Sequence, residues 1–198
     1  MSLRDRKRAR TRKAIVEAAT ELFERHGYDR TTVADIAAAA DIGTRTFFGY
    51  FSSKEELLFP ETAARLRAAR EAIAARGPDD RPADVLLAAL RIVGEDSDDL
   101  SGRLAALRLD VIRTVPAVRG RALQVQSEVT REIGRYLAAA FPDELDDVSA
   151  TAMAGAFAGA VSAALQVLLE DLDERPAPAV VQAAVERATE VALGRWRG

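Results

Sequence analysis

Three observations predict an all-α protein. Ala, Leu, Arg and Glu dominate the chain, and these are strong helix formers. Apolar residues recur at three- and four-residue spacing along most segments, the period of a helix with one buried face. Alternating apolar runs bounded by turn pairs, which would mark hairpins, are missing. The 198 residues, 48% hydrophobic and 30% charged, suffice for a core in one or two compact units. About nine helices are expected, as a short N-terminal group and a longer C-terminal bundle.

Composition narrows the chemistry. The chain has no Cys and one His, which excludes disulfides, thiolate zinc sites and a multi-histidine metal site within one chain. The single His26 is expected to sit at the end of a helix, where it favours the dipole. No Ser-nucleophile motif, Gly-rich phosphate loop or carboxylate dyad stands out, and no Glu-x-x-His pair is present for a bundle metal site. The expectation is a protein that is not an enzyme and carries no metal or cofactor. The polar, Arg-rich N-terminus has no apolar signal core, so a cytoplasmic protein is expected. The net charge of −3 hides an asymmetry. Residues 1–54 carry eleven basic and seven acidic side chains, a net of +4, and residues 55–198 carry a net of −7. A basic end on an acidic body suggests that the front of the chain meets a polyanion, or else that it is only a solvated tail.

The elements follow in order. Arg4 to Lys13 is expected to be a mobile basic arm. Helix 1 runs from about Thr11 to His26 on the apolar stripe of Ile15, Ala19, Leu22 and Phe23, with Gly27 as its C-terminal cap. Thr32 with Asp35 forms a capping box for a short helix 2, about Val33 to Ala40. Asp41-Ile42-Gly43 is a turn, and helix 3 covers about Thr44 to Tyr50. Ser53-Lys54-Glu55-Glu56 then caps a long helix 4 reaching about Arg76. Gly77 to Pro82 is the clearest breaker cluster. Helix 5 ends near Val93, and Glu95 to Asp99 is an acidic loop. Helix 6 spans about Leu100 to Thr114. Pro116 suits the first turn of helix 7, which ends near Phe141-Pro142. Helix 8 runs from about Asp146 to Asp171, and helix 9 closes near Trp196 after a turn at Arg175 to Pro178.

Helices 2 and 3 carry the pattern of a helix-turn-helix. Ala37 is small where the helices meet. Asp41 tolerates the left-handed backbone that the turn requires. Ile36, Ala40, Ile42, Phe47 and Phe51 are spaced to point inward. Thr44, Arg45, Thr46, Phe48, Gly49 and Tyr50 leave an outer face that fits the major groove of B-DNA. Against this stand a generic bundle with an exposed Arg45, and a Tyr50 packed in the core with its hydroxyl outward.

The run Thr31-Thr32-Val33-Ala34-Asp35-Ile36-Ala37, followed by Gly43-Thr44-Arg45-Thr46-Phe47-Phe48-Gly49-Tyr50-Phe51-Ser52-Ser53-Lys54-Glu55-Glu56-Leu57, resembles the DNA-binding domain of the tetracycline-repressor (TetR) family. The resemblance covers about residues 11–58. Four positions depart from that pattern: Asp41 stands where Gly is usual, Gly43 where Ser is frequent, Phe48 where Tyr is usual, and Arg45 where a small residue is frequent. The resemblance implies a DNA-binding domain over 1–53 and a ligand-sensing and dimerisation domain over 54–198. It implies that Thr44, Arg45 and Phe48 face base edges and that Thr32, Thr46, Tyr50 and Lys54 hold phosphates. Arg8, Arg10 and Arg12 add backbone or minor-groove contacts.

Ser149 to Leu169 has no charged residue over 21 positions, long enough for a membrane span. Its Ala, Gly, Ser, Thr and Gln content and its acidic flanks favour a bundle helix instead. Ala152, Gly155, Ala156, Gly159, Ala160 and Ala163 form a small-residue stripe. The resemblance pairs helices 8 and 9 with those of a second subunit, adding the Val180, Val181, Ala184, Val185, Ala188 and Val191 face of helix 9 to a homodimer interface. An intrachain core helix is the alternative. The resemblance also implies a pocket for a small-molecule effector of unknown identity among helices 4 to 8. Its candidate lining is Leu86, Leu90, Leu104, Leu107, Arg108, Val111, Gln124, Phe157, Val161 and Leu165, with Gln126 and Gln166 as further polar anchors. Helix 4 would relay the effector to the operator. The expected function is that of an effector-responsive regulator, a repressor released from a palindromic double-stranded operator. A helical scaffold or protein-interaction module is the alternative.

Overall fold

The computed structural model describes residues 2–60, 62–95, 102–169 and 176–194, and all regular structure among them is helical. The expected acidic loop after Glu95, the end of helix 8 at Asp171 and the end of helix 9 at Trp196 lie outside the described residues.

The N-terminal unit begins with α1, Leu3–His26. Residues 4–13 are therefore not a loose arm. Ser2 and Asp5 form a capping box that starts the helix eight residues before the expected Thr11. Helix-forming Arg and Lys side chains continue it without a break. Gly27, at φ +83°, closes it and donates its N–H to the Phe23 carbonyl at 2.9 Å. Next come α2, Val33–Ala39, and α3, Thr44–Phe48. Ile15, Ala19, Phe23, Ile36, Ala37, Phe47 and Phe51 form one buried core with Leu57 and Leu58.

The long helix 4 of the sequence reading is broken. A 3₁₀ turn, Glu55–Leu58, is followed by α4 at Thr62–Ala74. Pro60 is the cause. Its ring clashes with the carbonyl four residues back, it has no N–H to donate, and it drives Phe59 out of the α region, to φ −130° and ψ 45°.

The remaining helices are α5, Pro82–Glu95, α6, Arg103–Thr114, α7, Pro116–Ala140, α8, Asp147–Leu168, and α9, Pro178–Leu193. Pro116 at the first turn of α7 separates it from α6 through an extended Val115. α4, α5, α7 and α8 enclose a second core around Leu86, Leu137 and Met153. A third, smaller core joins Leu90, Ala105, Leu165, Leu169, Val181 and Val185. α7 and α8 cross closely at Gly134, where an added Cβ would lie 2.7 Å from Thr151 Oγ1 and 2.9 Å from Thr151 Cα.

The two units are tied along α6 and the start of α7. Val111 and Val118 complete the N-terminal core. Arg103 is paired with Glu24 of α1, and Arg121 lies 3.6 Å from Glu56. The buried Arg108 donates to the Leu58 carbonyl at 3.3 Å.

Candidate DNA interface

α2 starts on a complete capping box. Thr32 Oγ1 accepts the Asp35 N–H at 3.2 Å, and Asp35 Oδ2 accepts the Thr32 N–H at 2.9 Å. The hydroxyl also donates to Asp35 Oδ2 at 2.6 Å, and these bonds hold the Asp35 carboxyl below its usual range. Asp41, at φ +54°, takes the left-handed turn position. Ile42 then donates its N–H back to the Ala37 carbonyl at 2.9 Å, which locks the two helices together.

α3 has only five residues and no side-chain cap at Gly43. A helix this short does not persist on its own; it is held from below. Phe47 is fully buried, 5.9 Å from the Phe51 ring, and Phe48 meets its edge at 5.4 Å. With Phe47 pinned inward, Thr44, Arg45, Thr46 and Phe48 stand exposed on one surface. Phe48 is 57% exposed. The three expected base-reading residues, Thr44, Arg45 and Phe48, are thus together and outward.

The expected phosphate ligands divide into two groups. Thr46 and Arg10 are exposed, and Tyr50 is half-buried with the Arg8 guanidinium 5.1 Å above its ring. The others have intramolecular work. Arg8 donates to the Gly49 carbonyl at 3.2 Å. Arg12 donates to Tyr50 O at 3.3 Å and to Pro60 O at 3.1 Å. Lys54 Nζ donates to Tyr28 O at 2.8 Å and Thr31 O at 3.0 Å, over the Tyr28 ring at 4.0 Å. Tyr28 donates its hydroxyl to Glu55 at 3.1 Å, and its burial beside that carboxylate pushes the phenol pKa up. Thr32 is spent on Asp35. Charge counting along the sequence missed these roles. Helical phase would have found two of them, since residues 8, 12, 15, 19 and 23 lie on one face of α1.

The sequence profile of the bacterial regulatory proteins, tetR family, matches residues 15–59, the stretch that builds this helix-turn-helix. The regulator TcmR of Streptomyces glaucescens is 35% identical over 150 residues, covering 73% of this chain and 66% of TcmR. The chain belongs to the tetR family. It spans just under two thirds of TcmR, and its match to HbdR of Aromatoleum sp., 42% identical over 48 residues, covers 24% of this chain and 21% of HbdR. The whole fold is shared as well. A TetR-family protein from Syntrophomonas wolfei superposes with a TM-score of 0.69, 16% identity and 96% coverage of both chains. Thermus thermophilus FadR, a TetR-family repressor solved with lauroyl-CoA, gives 0.57 at 21% identity, covering 92% of this chain and 93% of FadR.

Beyond the tetR-family helix-turn-helix, the structure brings some of the expected pocket residues together, Leu90, Phe157, Val161 and Leu165, and distributes the others over two further cores and the surface. Leu86 sits in the second core. Leu90, Val161 and Leu165 sit in or against the third, and Phe157 packs against both. Leu104, Leu107 and Val111 join the N-terminal core. Arg108 is buried at the junction of the units, and Gln124, Gln126 and Gln166 are exposed. A surface cleft between the α4–α5 loop and the end of α7, lined by Arg76, Pro78, Asp80, Phe141 and Glu144 among others, uses none of them.

The expected dimer residues also divide. On α8, Ala152, Ala156 and Ala163 are exposed, and Gly155, Gly159 and Ala160 are partly so. Ala184 and Ala188 of α9 are half-buried. Val181 and Val185 have almost no surface left for a partner, because both are buried against Leu165 and Leu169 within the subunit. The outward valines are Val148 and Val167 on α8 and Val180 and Val191 on α9.

Proposed function

We propose that this chain is an effector-responsive, sequence-specific transcription regulator that acts as a repressor on a palindromic DNA operator. One observation carries the reading. A recognition helix pinned by buried Phe47 and Phe51 presents Thr44, Arg45, Thr46 and Phe48 to solvent. That combination matches what the major groove admits. A bidentate Arg45–guanine pair would supply about 1–3 kcal/mol of base discrimination per half-site. Phe48 offers apolar contact to a thymine methyl or a sugar. Thr46, Arg10 and Tyr50 are the phosphate ligands this reading favours: the two hydroxyls by hydrogen bonds, and the cation Arg10 by neutralising a phosphate, which would steepen the salt dependence by about one unit.

The operator-reading unit is residues 1–53 and the sensing and dimerisation unit 54–198, whose first 3₁₀ turn, Glu55–Leu58, packs into the core of the operator-reading unit. α8 supports a homodimer. It is long enough to cross a membrane and holds an 18-residue apolar stretch of mean hydropathy 1.6, yet only 22% of that stretch is buried within the subunit. Val148, Ala152, Ala156, Ala163 and Val167 fall on one face, and a second copy covers that face in the dimer. Two-fold symmetry then calls for a palindrome. A small-molecule effector binds the sensing unit in the form that fits DNA poorly, and weakens operator affinity by its differential affinity for the two forms. With helix 4 interrupted at Pro60, the contacts of α6 and α7 with Glu24, Glu56 and Leu58 are the route by which a shift in the sensing unit reaches α3. Nothing in this mechanism asks for catalysis or a cofactor, and it places the protein in the cytoplasm with its DNA.

The test is selection of bound duplexes from a random pool. The expected outcome is an inverted repeat whose half-sites lie one helical turn, or a multiple of it, apart. Recovery of no enriched sequence would favour the helical scaffold reading.

A further inference from the structure

We propose that Arg8 and Arg12 of α1 are positioning residues that clamp the C-terminal end of the recognition helix, rather than ligands of DNA phosphate; this rests on the operator-reading function proposed above. α3 is one turn and a half long, so its carbonyls have few partners within the helix. Cations at a helix C-terminus oppose the dipole favourably. Arg8 and Arg12 supply two such cations, one turn apart on α1. Arg8 holds Gly49 O at 3.2 Å. Arg12 holds Tyr50 O with one nitrogen and Pro60 O with the other, while its guanidinium plane covers the Phe51 ring at 4.1 Å.

Arg12 therefore joins three things: the exit of α3, the buried aromatic beneath it, and the proline that ends the following 3₁₀ turn. A lysine keeps the charge but loses the planar two-pronged donation. Both arginines precede residues 15–59, the stretch matched by the family profile. They continue the stripe of Ile15, Ala19 and Phe23 toward the start of α1, which directs them to the carbonyls at the exit of α3.

The test uses the full chain and two readouts. Without DNA, amide hydrogen exchange is compared for wild type, Arg12→Lys, Arg12→Gln and Arg8→Gln. The proposal expects exchange over residues 44–51 to rise at least about tenfold in both Arg12 variants, with residues 15–23 unchanged. Arg8→Gln, at an exposed position, gives a smaller rise and serves if the Arg12 variants do not fold. With the selected operator, Arg12→Lys and Arg12→Gln are both expected to lose about tenfold or more in affinity while the salt slope stays within half a unit of wild type. Arg10→Gln is the comparator, losing about one unit of slope per phosphate. Unchanged exchange over 44–51, with a reduced slope for Arg12→Gln and wild-type binding by Arg12→Lys, would overturn the clamp. If wild type selects no duplex, the operator reading fails, and the exchange comparison alone decides whether Arg12 anchors α3.

Discussion

At the scale of single residues, the DNA-reading unit depends on a few polar groups whose charge or backbone geometry is specific. Asp35 is one. Its carboxyl, bonded by the Thr32 hydroxyl and N–H, has a pKa below its ordinary value. Asp146 is lowered in the same way by the Ser149 N–H at the start of α8. A carboxylate whose folded pKa is depressed stabilises the fold above its unfolded value and loses that contribution as pH falls through the folded value. Thermal unfolding followed from pH 7 to pH 2 is therefore expected to show a falling midpoint below about pH 4. Asp35→Asn should have a lower midpoint at neutral pH and a shallower decline below it. Asp41 and this capping box were legible in the sequence, because each rests on local backbone chemistry read over four residues. The clamp of Lys54 was not, and those of Arg8 and Arg12 were legible only as a helical phase on α1. A basic run invites a count of charges, and only the tertiary placement of Gly49, Tyr50, Tyr28 and Thr31 shows which carbonyls those cations reach.

At the scale of elements, most boundaries set by caps and prolines were legible; the Ser2–Asp5 capping box that starts α1 was not, and the interruption of helix 4 shows how another was overlooked. A favourable Ser-Lys-Glu-Glu start suggested a continuous helix, yet Pro60 lay inside it and outweighed the propensity of its neighbours. Glycines inside helices carry a similar lesson. Gly134 and Gly120 both lie within α7, and the sequence alone does not distinguish them. The structure does: a Cβ at Gly134 would press on Thr151 of α8, and one at Gly120 meets nothing within 4 Å. Gly134→Ala is expected to cost about 1–3 kcal/mol by forcing the helices apart. Gly120→Ala is expected to gain about 0.5–1 kcal/mol, since alanine suits a helix interior and the site is open. Denaturant unfolding of the pair measures both. Equal effects would remove the close approach of α7 and α8 as the explanation for Gly134.

At the scale of the whole molecule, the small-residue stripe of α8 stands exposed at Ala152, Ala156 and Ala163, and the proposed dimer uses it. Which face of α9 lies beside it was not legible in the sequence. Alternating burial placed Val181 and Val185 inside the subunit and left Val180 and Val191 outside, a choice fixed by the rotation of α9 against Leu165 and Leu169. The proposed dimer leads to a direct expectation: Ala156→Arg, in the middle of the exposed α8 face, should convert a dimer into a monomer by light scattering, with helix content retained. An unchanged mass would move the interface elsewhere. Apolar residues at helical spacing serve three cores here, and spacing does not record which helices meet.

The claim on which all of this turns is that the exposed face of α3 reads bases. The measurement is the affinity of wild type and Arg45→Ala for the selected operator and for duplexes with each half-site guanine replaced in turn. The account predicts that wild type loses about tenfold or more at one guanine per half-site, corresponding to the 1–3 kcal/mol of a bidentate contact. It also predicts that Arg45→Ala binds weakly and no longer distinguishes that base. An Arg45→Ala protein that keeps wild-type affinity and the full base preference would contradict the account and take α3 out of the groove.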